Sequence, residues 1–130
     1  MTDIKFGTDG WRDRIGEKFT FENLRKVCAA YACYMQKRSK QPAVSIGYDN
    51  RFMSDKYAEF CAGELSLKGF NIFLFDSSVP TPLVSWSVIK KKFDGGIIIT
   101  ASHNPWNYNG FKIKDSAGCG LSNEGTAEIE

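Results

Sequence analysis

The chain has 130 residues, 42% of them hydrophobic and 25% charged, and its 17 basic and 15 acidic side chains give a formal charge of +2. Such a chain has room for one domain that buries roughly two-thirds of its unfolded surface, and its composition is that of an ordinary soluble globular protein. Interspersed charges argue against nucleic acid as a partner, strand-sized apolar runs argue against a membrane span, and the polar start Met1-Thr2-Asp3-Ile4-Lys5 does not read as a signal peptide. A cytoplasmic protein is expected.

In chain order, Ile4-Lys5-Phe6 reads as a short strand (4–6) leading into a Gly-rich segment that ends at Arg12. Thr20 reads as a helix N-cap with Phe19 and Leu24 as a hydrophobic staple. Leu24, Val27, Cys28, Tyr31 and Met35 recur at helical spacing, so a helix is predicted over 20–38 and ends before Pro42. A strand is predicted over 43–48. Ser54 then caps a helix over 54–68 whose Tyr57, Ala58, Cys61, Ala62 and Leu65 face the sheet, and Gly69 closes it. The run 70–75 reads as a third strand. Thr81-Pro82 opens a helix over 82–92 with proline at the first helical position, and Lys90-Lys91-Lys92 at its end complement the helix dipole rather than marking a polyanion site.

Gly95-Gly96-Ile97-Ile98-Ile99 predicts a strand over 96–100 that is covered on both faces. Gly110-Phe111-Lys112-Ile113-Lys114 alternates, so a strand over 110–114 turns Phe111 and Ile113 to one face and both lysines to the other. It follows its predecessor too closely for a crossover helix, so the two are expected to be antiparallel. The whole reads as α/β: a three-layer α/β/α domain with a mostly parallel mixed sheet. Ser122 to Glu130 reads as the start of a further helix. Cys28, Cys33, Cys61 and Cys119 lack metal-ligand spacing, and buried reduced thiols are expected.

Chemistry concentrates in Thr100-Ala101-Ser102-His103-Asn104-Pro105-Trp106-Asn107-Tyr108-Asn109-Gly110, which hangs a hydroxyl nucleophile off the end of a buried strand. Ligand sites in open α/β sheets lie beyond the carboxyl ends of such strands. Lys112 is carried on the strand returning from the same edge. A serine hydrolase would need a nucleophile elbow and a separate histidine, and here the sole histidine, His103, adjoins the serine. Successive side chains diverge, so His103 by itself reads as a structural hydrogen-bond donor rather than a base. Asp49 and Arg51 read as a loop ion pair bracing the floor beside the site rather than as substrate contacts, and Trp106 and Tyr108 as loop aromatics packed inward rather than stacked against a sugar.

Thr-Ala-Ser-His-Asn-Pro, then Tyr108-Asn109-Gly110-Phe111-Lys112, together with Phe6-Gly7-Thr8-Asp9-Gly10-Trp11-Arg12 and Gly47-Tyr48-Asp49-Asn50-Arg51, resembles the α-D-phosphohexomutases, the family of phosphoglucomutase, phosphomannomutase and phosphoglucosamine mutase. The pieces fall in the family's order and span nearly the whole chain. The resemblance implies that residues 1–130 form the N-terminal, phosphoserine-bearing domain of a mutase and that later domains are absent, the chain being either an excised piece or a naturally short relative.

The same resemblance implies a reaction and its residues. Ser102 would carry a phosphoryl group, give it to a hexose phosphate and take one back from the other end of the sugar, interconverting 1- and 6-phosphates through a bisphosphorylated hexose. Ser102, Lys112 and His103 are the implied catalytic residues, with Lys112 as general acid/base; Thr8, Arg12 and Asn104 are the implied substrate contacts. Mg²⁺ would bind the Ser102 phosphate, its remaining ligands supplied by a missing domain. Thr8, Arg12, Ser102, His103 and Lys112 are expected to gather at one edge of the sheet, beyond the carboxyl end of the strand that finishes at Ile99, with Lys112 largely exposed. The partners implied are a hexose phosphate and the remaining mutase domains. The isolated chain is expected to be inactive, and a non-catalytic phosphosugar- or partner-binding module derived from the domain is the rival reading.

Overall fold

The computed structural model describes residues 4–8 and 10–130. Its elements run β1 (Gly10–Arg14), α1 (Phe21–Gln36), β2 (Ala43–Tyr48), α2 (Ser54–Ser66), β3 (Asn71–Leu74), α3 (Thr81–Lys91), β4 (Gly95–Ile99), β5 (Tyr108–Lys114) and α4 (Asn123–Ile129). The five strands form one sheet in the order β1-β5-β4-β2-β3. β2 is parallel to both β3 and β4, whereas β5 is antiparallel to β4 and to β1. Four strands therefore share one direction and β5 alone opposes them, the mostly parallel mixed sheet that the alternation of periodicities predicts.

The N-terminal strand differs from expectation. Residues 4–6 form no strand, and the edge strand is Gly10–Arg14 instead. Its inward residue is Trp11, 2% exposed and stacked on Phe19 with ring centroids 4.7 Å apart. Ile4 and Phe6 are only partly buried against the core. One fully buried indole anchors an edge strand better than two half-covered side chains, because the stabilisation scales with apolar area removed from water.

The helices start and stop where their caps direct, with two adjustments. Thr20 accepts from the Asn23 N–H to open α1, and the staple residues Phe19 and Leu24 are fully buried. Ser54 is not the cap of α2 but its first residue, behind Met53 at φ 65°, because its hydroxyl is committed elsewhere: it donates to Asp49 Oδ1 and accepts from Asn109 Nδ2. α3 begins one residue earlier than predicted, with Pro82 in its second position. Ser122 caps α4 by accepting from the Gly125 N–H.

α1, α2 and α4 cover one face of the sheet. Leu24, Tyr31, Ile46, Leu65, Ile97, Ile99 and Phe111 belong to the core there. α3 alone covers the other face, seated on β2 and β4 through Val84 and Val88. It approaches closely because Gly47 and Gly96 lie beneath it: a Cβ on Gly47 would stand 2.5 Å from Val84 Cγ2, and one on Gly96 2.8 Å from Val88 Cγ2. Ile97, Ile98 and Ile99 are all buried, as expected of a strand covered on both sides. Cys28 and Cys61 are buried between helices, but Cys33 and Cys119 are exposed, against expectation. Cys33 falls on the outward side of α1, and Cys119 is at the surface in a glycine turn.

Candidate active site

The loop after β4 is held by a polar network that begins on the neighbouring parallel strand. β2 and β4 run the same way, so the segments that follow them emerge at the same sheet edge. Asp49, just past β2, accepts from Thr100 Oγ1 at 2.6 Å and from Ser54 Oγ at 2.7 Å. Thr100 Oγ1 in turn accepts from the Ser102 N–H at 3.1 Å. Arg51 closes the loop from outside: its guanidinium donates to the carbonyls of Ser102 (2.8 Å), Asn104 (2.7 Å), Pro105 (2.7 Å) and Tyr108 (3.2 Å), while its Nε lies 3.5 Å from Asp49 Oδ2. The Asp49–Arg51 pair thus braces the site, as read from the sequence, but does so mainly by gathering four backbone carbonyls.

Ser102 is exposed and sits at φ 53°, one of three non-glycine residues in the left-handed region among the described residues. A serine gains nothing by itself from this conformation. It persists because Thr100 fixes its N–H and Arg51 its carbonyl, and strain held in this way is characteristic of functional sites. His103 beside it is also exposed.

The opposite rim is built by β1 and β5. Gly10 pairs with Lys112 and Arg12 with Gly110, so each long basic side chain faces a glycine across the ladder. The stem of Lys112 lies over Gly10, where a Cβ would stand 3.0 Å from Lys112 Cγ, and Arg12 lies over Gly110, where a Cβ would stand 2.7 Å from Arg12 Cγ. This packing leaves Lys112 half-buried rather than largely exposed, a correction that follows from its place on an inner strand between β1 and β4. Arg12 crosses Gly110 to donate from Nη1 to Asn104 Oδ1 at 3.1 Å, which ties the edge strand to the serine loop. Thr8 is exposed in the turn that the Gly7 N–H closes on the Gly10 carbonyl.

Arg12, Asn104 and the backbone of Ser102 are therefore linked through direct contacts and Arg51, whereas Lys112 lies two ladder positions from the Arg12–Gly110 pair, level with Ile98, and Thr8 precedes the amino end of β1, which runs the same way as β4. Thr100 and Asn109 have no individual role in the sequence reading, and Ser54 only that of a helix cap, although the three set the loop. The available signal was the Asp-Asn-Arg segment after β2, which parallel neighbours place beside the loop. Trp106 also departs from its predicted inward packing: it is 84% exposed. Among the described residues no three His, Cys, Asp or Glu side chains are grouped so as to hold a metal ion. Asp49, the carboxylate nearest the loop, is already engaged by two hydroxyls and Arg51. The residues present thus do not fit a complete Mg²⁺ site.

Fold and site together define an α/β domain that presents a rigidly held serine hydroxyl, flanked by basic side chains, at the carboxyl edge of its sheet. The chain belongs to the phosphoglucomutase/phosphomannomutase family: the model of that family's alpha/beta/alpha domain I matches residues 3–130. A phosphoglucomutase of Staphylococcus epidermidis is 35% identical over 98% of this chain, which covers 24% of that protein. A Schizosaccharomyces pombe protein named as a probable phosphoribomutase is 39% identical over 91% of this chain and 21% of its own length. The crystal structure described as that of a phosphomannomutase from Thermus thermophilus superposes with a TM-score of 0.95 at 38% identity, covering 98% of this chain and 29% of the other. The chain spans less than a third of the length of each of these relatives.

Proposed function

We propose that this chain is the phosphoserine-bearing domain of a cytoplasmic phosphohexomutase, with Ser102 as the phosphoryl carrier. The observation that carries the reading is Ser102 itself, exposed at φ 53° beyond β4, with its N–H and carbonyl both fixed by neighbouring side chains. A phosphoryl carrier requires this kind of placement, since phosphoryl transfer is governed by positioning and charge neutralisation.

In the first step the P–O bond to Ser102 Oγ breaks and a bond forms to a hydroxyl oxygen of a hexose phosphate, whose proton passes through Lys112 to the departing Ser102 Oγ. In the second step Ser102 Oγ takes a phosphoryl group from the other end of the bisphosphorylated sugar, and its proton passes through Lys112 to the departing sugar oxygen. Arg12 and His103 hold the anionic groups in line, and Thr8 and Asn104 contact the substrate. Mg²⁺, where the complete enzyme uses it, would offset charge on the phosphoserine. Its remaining ligands and the grip on the distal phosphate would come from the remaining mutase domains.

A domain exchange tests the assignment. This chain would replace the corresponding domain of the Staphylococcus epidermidis phosphoglucomutase, and conversion of glucose 1-phosphate to glucose 6-phosphate would be followed with intact-mass analysis of the resting protein. The chimera is expected to turn over and to carry phosphate on Ser102, and Ser102→Ala is expected to abolish both. Turnover that survives Ser102→Ala would remove the assignment and leave the binding-module reading.

A further inference from the structure

The site described above uses the serine loop and the basic rim but leaves a groove beside them. It measures about 470 Å³ and is lined by Asp49, Asn50, Arg51, Phe52, Asn104 and Trp106. Two large aromatics stand exposed in it, Phe52 at 69% and Trp106 at 84%. Each occupies the second position of a four-residue turn: the Ser54 N–H bonds to the Arg51 carbonyl around Phe52, and the Tyr108 N–H bonds to the Pro105 carbonyl around Trp106. Arg51 holds the second turn at both ends, through the Pro105 and Tyr108 carbonyls. Both aromatic side chains are therefore mounted on turns anchored at Arg51, so little backbone freedom remains to be lost when something stacks on them.

We propose that this groove is a sugar-binding platform in which Trp106, assisted by Phe52, stacks on the ring of the phosphosugar whose phosphate meets Ser102 and Arg12; the inference rests on the mutase reading above. Three observations select that occupant. The groove and the serine loop share a wall, since Arg51 lines the groove and its Nη2 lies 2.8 Å from the Ser102 carbonyl. The polar lining suits hydroxyls better than a phosphate: the Arg51 guanidinium is spent on carbonyls, while among the described residues nothing engages the side-chain amide of Asn50 or the amide nitrogen of Asn104. The volume falls in the range of small-molecule sites, roughly 300–1,000 Å³, whereas seating a protein partner takes about 800 Å² on each side, far more than two side chains offer. Trp106 would be a substrate-positioning residue, setting affinity for the ring rather than the chemistry at Ser102.

The test uses the 130-residue chain itself, isotopically labelled, with the Trp106 indole N–H resonance identified from the Trp106→Phe spectrum. Titration with glucose 1-phosphate is expected to shift that resonance saturably, with a Kd on the order of millimolar, while the indoles of Trp11 and Trp86 stay still. Inorganic phosphate is expected to leave it unmoved at the same concentrations. In Trp106→Ala the binding, followed at the Asn50 and Asn104 amides, should weaken at least about tenfold, and Trp106→Phe should recover most of it. No shift, an equal shift with inorganic phosphate, or a shift produced only by the remaining domains of a relative added in trans would each overturn the proposal. Because the readout is binding without transfer, it is independent of the Ser102 result in the chimera.

Discussion

Arg51 gathers the carbonyls of Ser102, Asn104, Pro105 and Tyr108 while lying beside Asp49, so one side chain holds both the start and the end of the serine loop. Replacing it with methionine returns those carbonyls to water and leaves Asp49 without its cation. The expected loss is about 3 kcal/mol, measured from the urea midpoint, because hydrogen bonds to a charged donor contribute more than neutral ones yet water recaptures the exposed oxygens. Amides 101–108 should exchange faster than the rest of the chain, and unchanged exchange there would contradict the clamp. The cysteines give a second expectation at this scale. Burial pushes the Cys61 thiol well up, with a hydrogen bond to Cys28 adding to the effect. A thiol reagent at mildly alkaline pH should modify Cys33 and Cys119 promptly and reach Cys28 and Cys61 only after unfolding; rapid labelling of all four would mean that α1 and α2 part readily.

Between elements, glycines decide how closely the pieces approach. A Cβ on Gly110 would stand 2.5 Å from the Thr100 carbonyl and 2.7 Å from Arg12 Cγ. Gly110→Ala should therefore destabilise by about 3 kcal/mol and lift Arg12 from Asn104, detectable as a lower denaturation midpoint together with a shift of the Asn104 amide resonance. A variant as stable as the parent would mean that β1 and β5 are looser than described. The docking of α4 on α1 carries a pH dependence. The hydrogen bond from Arg38 holds the Glu128 carboxyl below its usual value of 4.5 against the opposing effect of burial, with a smaller lowering from Lys37. A depressed folded pKa means that this contact contributes above the unfolded pKa and is lost as pH falls through the folded one. Glu128→Gln should accordingly speed amide exchange in α4 at neutral pH and make little difference once the parent carboxyl is protonated. An effect of equal size at both pH values would show that charge is not what tethers the helix.

At the scale of the molecule, the chain holds an exposed serine beside Arg51 and Arg12 at an open sheet edge and covers less than a third of the length of its relatives. Among the described residues it groups no metal ligands, and no helix is long and apolar enough to cross a membrane. Positioning and electrostatics supply on the order of 10 kcal/mol in enzymes of this kind. The isolated chain should therefore show no steady conversion of glucose 1-phosphate to glucose 6-phosphate in a coupled assay. Turnover by the pure chain would mean that the site at this edge is complete as it stands.

Periodicity alone was sufficient for α1, α2, α3 and the strands β2 to β5, because each is an amphipathic or fully apolar segment whose pattern needs only a sheet to face. The staple at Phe19 and Leu24 and the cap at Ser122 were legible for the same reason: their partners lie within a few residues. The family resemblance carried by the motifs named Ser102, Arg12 and Lys112 as site residues, and of their contacts the structure adds that of Arg12 with Asn104 in the serine loop. What the sequence left open depends on partners distant along the chain. The edge strand moved from residues 4–6 to Gly10–Arg14 because Trp11 finds Phe19 and β5 offers a ladder. Ser54 gave up its expected cap because Asp49 and Asn109 claim its hydroxyl, and Lys112 became half-buried because its stem lies over a glycine on another strand. The left-handed turn at Ser102 and the outward Trp106 belong to the same class. Local sequence sets which segments are helix or strand through spacing and burial, but a strained or exposed conformation persists only when side chains from other elements fix it, and only the tertiary structure brings Asp49, Thr100 and Arg51 to the same edge.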